Sequence, residues 1–356
     1  MKKKIAAITL CIGLMMNLIA CGGSSASGNN GAEAENSGQE SKPISLSLSH
    51  MRPDGSPVDL ALEAFCKEAN ELSGGTLTFE IFPASQLGDY TVVQERVMLG
   101  DIDIQCATIG TNIDKMFGMS TAPYLATNWD EAREIYASDG ILANAFREKL
   151  DEYGLTFLTF YPLYFGGIAL DSINPAAADP NGKSGIKIRV PSMIAFEKTA
   201  VSLGYLATPL ASSDMFTSMQ TGVIDGALGM GAEGYYSNMA DLVKQYLPIN
   251  DHFEAFGMYI NSEKFSAMSK KQQDALTTAA MHMEEARWEV AEEETQEYEQ
   301  KLRDKGAEVV NYTDEELDAF ADKIRTEVWP LIRDEYDTEL FDKLTGAIGE
   351  AGGDEK

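Results

Sequence analysis

Between Pro43 and Gly110 the residue pattern changes period four times, and this alternation most limits what the chain can fold into. ISLSLSH (44–50) alternates apolar and polar residues, which predicts a strand ending near His50. MRPDGSP supplies turn chemistry. Val58, Ala61, Leu62, Phe65, Cys66, Ala69 and Leu72 then share one helical face, and Gly74-Gly75 ends that helix. TLTFEIFP is a second strand, stopped by Pro83. A helix through Val92, Val93, Val97 and Met98 reaches Gly100, and DIDIQCATIG is a third strand. The β-α-β-α-β order predicts an α/β fold with a mostly parallel sheet.

The stretch from Gly185 to Gly226 repeats that logic. In GIKIRVP, Ile186, Ile188 and Val190 alternate with Lys187 and Arg189, a strand with one apolar face. Pro191 ends the strand, and Ser192 is expected to cap a helix carrying Phe196, Ala200, Val201 and Leu203, with Gly204 as its stop. Arg189 thus stands at the carboxyl end of a strand beside a helix N-terminus. In open α/β sheets this edge binds ligands, and both groups favour an anion. The residues alone leave two readings: a carboxylate site, or an arginine on a solvated face paired with a nearby aspartate.

A chain of 356 residues has room for about two domains. Its formal net charge of -28 argues against nucleic acid. Three scattered histidines, with no HExxH and no CxxC, argue against a zinc enzyme. Gly229–Gly234 matches GxGxxG but follows a late, short strand-like run, so a dinucleotide site is not expected. No cofactor and no nucleophile–base pair is expected.

Residues 1–21 form a targeting segment, with Lys2, Lys3 and Lys4 before an apolar run too short to span a membrane. It ends in Leu-Ile-Ala-Cys, which resembles a bacterial lipobox with Cys21 as the lipid-modified residue and membrane anchor. Residues 22–42 read as a flexible tether. After processing two cysteines remain, Cys66 and Cys106, read as buried free thiols. Tyr164, in LTFLTFYPLYFGGIAL, is a residue of either the core or a cleft. From Ser269, a capping-box position, no Pro or Gly interrupts the chain before Gly306, so a helix on the order of 50 Å is predicted. It is long enough to pack across two domains.

In this order, VDLALEAFCKEANELSGG with TLTFEIFP, QLGDYTVVQERVMLGDIDI, APYL, GIKIRVP with LGYLATPL, MQTGVIDG and KLRDKGAEVV resemble one family. It is the substrate-binding proteins of tripartite ATP-independent periplasmic (TRAP) transporters, of the dicarboxylate-binding type, and the similarity covers nearly all of the mature chain. The resemblance implies a periplasmic-binding-protein-like fold, two α/β domains closing on a cleft: residues 43–166 with 255–292, and 167–254 with 293–348. It implies that Arg189 clamps a substrate carboxylate and that Met51, Tyr90 and Thr108 face the cleft, with Arg52 a potential second cation. His252 aligns with a family histidine near the hinge or cleft wall. The chain also departs from the pattern: Gly229 and Met230 replace an Asn-Pro, Ile168 stands near a second family arginine, and Ser212 replaces an aromatic residue. The implied function is a monomeric extracytoplasmic receptor that carries a small organic acid to TRAP membrane permease subunits. The competing readings are a binding protein of an ATP-driven importer, a ligand sensor for a receptor kinase, or an enzyme using Arg189 as an anion clamp.

Overall fold

The computed structural model describes residues 42–351, with side chains through residue 346. Cys21 and the tether up to residue 41 lie outside these residues. Among the described residues eleven strands form two sheets: β1 (Ile44–His50), β2 (Leu77–Phe82), β3 (Ile104–Ala107), β4 (Leu155–Phe165), β5 (Gly167–Leu170), β6 (Lys187–Val190), β7 (Leu206–Pro209), β8 (Gly226–Met230), β9 (Gln245–Leu247), β10 (Phe253–Asn261) and β11 (Glu308–Val309). The first sheet has the order β2-β1-β3-β10-β4 and the second β11-β9-β5-β8-β6-β7.

The early alternation folds as its periods dictate. β1 pairs in parallel with β2 and β3. Helix Pro57–Ser73 is capped by the Ser56 hydroxyl, which accepts from the Asp59 amide, and closes on Gly74 at φ 74°. The sheet is nevertheless mixed, because β10 enters from late in the chain and runs antiparallel to both β3 and β4. The second sheet is mixed too: β6 is parallel to β7 and β8, while β5 is antiparallel to β8 and β9.

Two local expectations at the Gly185 stretch need correcting. Helix Ile194–Ser202 starts later than predicted; Met193 is its N-cap and Ser192 makes no cap. The Met193 amide instead bonds back to the Pro191 carbonyl at 2.7 Å, a tight turn that delays the helix. Arg189, expected on the polar face of its strand, is 2% exposed.

The long helix runs from Lys270 to Asp304, 35 residues, with the Ser269–Gln272 capping box formed. At 1.5 Å per residue it spans about 52 Å. Its first half packs on helix Pro57–Ser73 and β4, and its second half on helix Ala232–Met239 and β11. Midway along it, Trp288 stacks on Phe253 with centroids 5.7 Å apart, and Trp129 meets the same phenyl ring edge-on at 5.5 Å. Cys66 and Cys106 are both buried and free. Among the described residues no helix is long and apolar enough to cross a membrane.

Candidate functional site

The parallel strands of the two sheets bring their carboxyl ends to one enclosed chamber. Met51 and Arg52 follow β1, and Thr108 follows β3; Arg189, Pro191 and Met193 end β6; Ser212 follows β7; Gly229 and Met230 end β8. Because β10 is antiparallel, its first residues, Glu254 and Phe256, reach the same edge. Tyr90 and Phe196, from the helices after β2 and β6, complete the wall. The cavity measures about 20 Å³, room for about one or two waters.

Arg189 enters this chamber without an acidic partner. Its Nε donates to the Leu210 carbonyl at 2.9 Å, which fixes the plane of the guanidinium. Among the described residues no carboxylate lies within ion-pair distance of it. Burial works against the charge and lowers the pKa of Arg189 from the usual arginine value, though neighbouring Tyr90 and Tyr235 oppose that shift. Arg287, also buried, has Glu294 at 2.8 Å. Arg52, 1% exposed, meets Glu233 at 3.3 Å, donates to the Tyr164 hydroxyl, and lies 5.1 Å from the centroid of Phe256. The expected second cation therefore already has its counter-charge, and Glu233, far along the chain, supplies it.

The other anticipated residues fall into two groups. Met51, Arg52, Tyr90, Thr108, Arg189, Ser212, Gly229 and Met230 line the chamber. Tyr164 and His252 do not. Tyr164 stands behind Arg52, where its hydroxyl accepts a hydrogen bond from the guanidinium, and it belongs to the core rather than the wall. His252 is fully buried behind Glu254. Glu254, Phe256, Pro191, Met193 and Phe196 were not anticipated. For Glu254 a signal existed: it is the one acid within FEAFGMYIN, otherwise an apolar strand apart from its final Asn.

Gly229 stands where a larger residue would not fit. Its φ of +106° suits glycine, and a Cβ there would lie 2.7 Å from Pro191 Cγ and 3.6 Å from Arg189 Nη1. The space opposite Gly229 is filled by the Pro191 ring and is not spare room for ligand.

His252 holds Glu254 in place. Its Nδ1 lies 2.7 Å from Asp251 Oδ2 and its Nε2 3.2 Å from Glu254 Oε2. A ring with a carboxylate at each nitrogen must donate from both, which makes it an imidazolium. Burial alone would lower its pKa, but Asp251 and Glu254 outweigh burial and raise it to about 10. A folded-state value above the usual 6.5 adds stability that is complete below about pH 6.5 and is lost as pH rises through about 10. The melting temperature of wild type is therefore expected to exceed that of His252→Gln most below about pH 6.5, with the gap narrowing toward pH 10. A gap that stays constant across that range would show that the ring is not charged.

The family model for bacterial extracellular solute-binding protein family 7, the DctP family, matches residues 48–333. The chain belongs to that family. Members of family 7 bind solutes and are not enzymes, and the chain is accordingly an extracytoplasmic binding protein. It is 22% identical over 268 residues to the C4-dicarboxylate-binding periplasmic protein DctP of Rhodobacter capsulatus, covering 74% of this chain and 79% of that one. The sugar acid binding protein of Advenella mimigardefordensis in complex with galactonate superposes with a TM-score of 0.79 at 20% identity, covering 87% of this chain and 99% of its own. A Bordetella pertussis extracytoplasmic solute receptor binding pyroglutamic acid gives 0.74 at 20% identity, covering 85% and 99%. These family 7 structures share the two-domain α/β architecture.

Proposed function

We propose that this protein is the receptor of a TRAP-type transporter and that Arg189 clamps the carboxylate of a small organic acid. The carrying observation is the buried guanidinium without a counter-charge. A buried ion costs several kcal/mol unless paired, and the other two buried arginines among the described residues are paired. A ligand carboxylate supplies the missing partner through two parallel hydrogen bonds. The relatives named for C4-dicarboxylates, galactonate and pyroglutamic acid support an organic acid in general.

Met51, Pro191, Met193, Phe196, Met230 and Phe256 give the wall an apolar part beside its polar residues. Those apolar contacts favour one anchored carboxylate on a compact, mostly apolar body over a polyhydroxylated sugar acid. The two lobes, residues 43–166 with 255–292 and 167–254 with 293–348, would close on it by a hinge. Cys21 would carry a lipid that tethers the receptor to the membrane. Family membership favours neither an ATP-driven importer nor a receptor-kinase sensor.

A thermal-shift screen against mono- and dicarboxylates, aromatic acids, sugar acids and amino acids tests the reading. A true ligand at about 100 times its Kd adds roughly 2.7 kcal/mol. Organic acids are expected to raise Tm. A protein stabilised only by solutes lacking a carboxylate is not the receptor described here.

A further inference from the structure

We propose that Glu254 forms a second recognition pole opposite Arg189, so that the ligand is a small monocarboxylic acid bearing an N–H or O–H donor, and a second carboxylate is rejected. This rests on the carboxylate-receptor reading of Arg189. Glu254 is 3% exposed, yet it lines the chamber. Its carboxylate accepts from Thr108 Oγ1 at 2.7 Å and from His252 Nε2 at 3.2 Å. A carboxylate has about four acceptor sites, so about two remain. Those oxygens can take a hydroxyl, an amide N–H or an ammonium group from the ligand, and they offer nothing to another anion.

The remaining charges enforce the same choice. A dicarboxylate needs a second cation, and Arg52 is committed to Glu233 and Tyr164. A second carboxylate in this chamber would meet Glu254 in buried surroundings that screen the repulsion poorly. Among the neutral wall residues Met51, Met193, Phe196 and Phe256 supply no donor, and Tyr90 and Ser212 offer only uncharged hydroxyls.

The test is calorimetric titration of the full chain with matched three- and four-carbon acids. Each set holds the unsubstituted acid, its hydroxy and amino derivatives, and the diacid (malonate or succinate). A hydrogen bond to a charged group is worth about 1.5–3 kcal/mol, so a donor-bearing acid is expected to bind at least about tenfold tighter than its parent. The diacid should be the weakest of its set. Glu254→Gln should weaken the donor preference and improve the diacid relative to the others, because a carboxamide is uncharged and can donate as well as accept. Should that variant fold poorly, the wild-type ranking decides alone.

A diacid that binds wild type as tightly as the best donor-bearing acid overturns the proposal, as does an unsubstituted acid that does so. If Arg189→Met abolishes binding of every acid while the wild-type ranking is flat, the receptor reading stands and the Glu254 pole falls. If no acid binds wild type at all, both fall.

Discussion

Arg189→Met is expected to abolish the Tm rise produced by whichever acid stabilises the wild type, while leaving the ligand-free Tm unchanged or higher. The two halves of this result have one cause. Truncating one partner of a buried, hydrogen-bonded charge pair costs about 2–5 kcal/mol of binding, a loss of roughly 30-fold to several thousand-fold. Without ligand, however, the guanidinium is a buried charge whose hydrogen bond among the described residues goes to the Leu210 carbonyl. Replacing it with an apolar side chain of similar length removes a desolvation cost of several kcal/mol and gives up one hydrogen bond worth about 1 kcal/mol. Arg189→Lys should lie between: the charge survives, but the planar fork and the anchoring Nε do not. Titration calorimetry with Tm measured on the same samples separates the effects. Binding retained within a few-fold in Arg189→Met would remove the clamp from the model of function.

Glu233→Ala should have the opposite signature, a large loss of stability. Arg52 is buried, and Glu233 is its ion-pair partner. Removing one member of a buried pair typically costs about 3–5 kcal/mol, because the other charge stays buried. For a body of this size that lowers Tm on the order of 10 °C. The double variant Arg52→Met/Glu233→Leu should recover much of the loss, since it removes both charges together. Denaturant unfolding of the three proteins would decide; a single variant as stable as wild type would mean that water or another acid already satisfies Arg52.

The contrast between the two arginines marks the limit of what could be read from the chain. The place of Arg189 at the carboxyl end of a strand was legible because strand period and Pro191 are local facts, whereas its clamp role came from the family resemblance. Arg52 was legible as a residue near the site but not as a neutralised one, because Glu233 joins it from another element. The same holds for β10. Its apolar run is plain in the sequence, but its antiparallel insertion between β3 and β4 depends on pairings with segments far away. Glu254 was missed for that reason: only the reversed direction of β10 puts the strand's first residues at the edge where the other strands end. Ser192 failed as a cap because the Pro191 turn used the preceding residues differently. Met51, Tyr90 and Thr108 were suggested by family resemblance rather than by any property of their own neighbourhoods.

The aromatic stack beneath the chamber gives the molecule a built-in optical gauge. Phe253, stacked on the indole of Trp288 and met edge-on by that of Trp129, is bonded directly to Glu254. Any movement of that acid when a solute arrives is passed through a single peptide unit to the ring that both chromophores touch. Two of the three tryptophans in the chain touch the neighbour of Glu254, so their emission is expected to change when a solute binds. Solute recognition can then be followed in the unlabelled protein, in real time, by light alone.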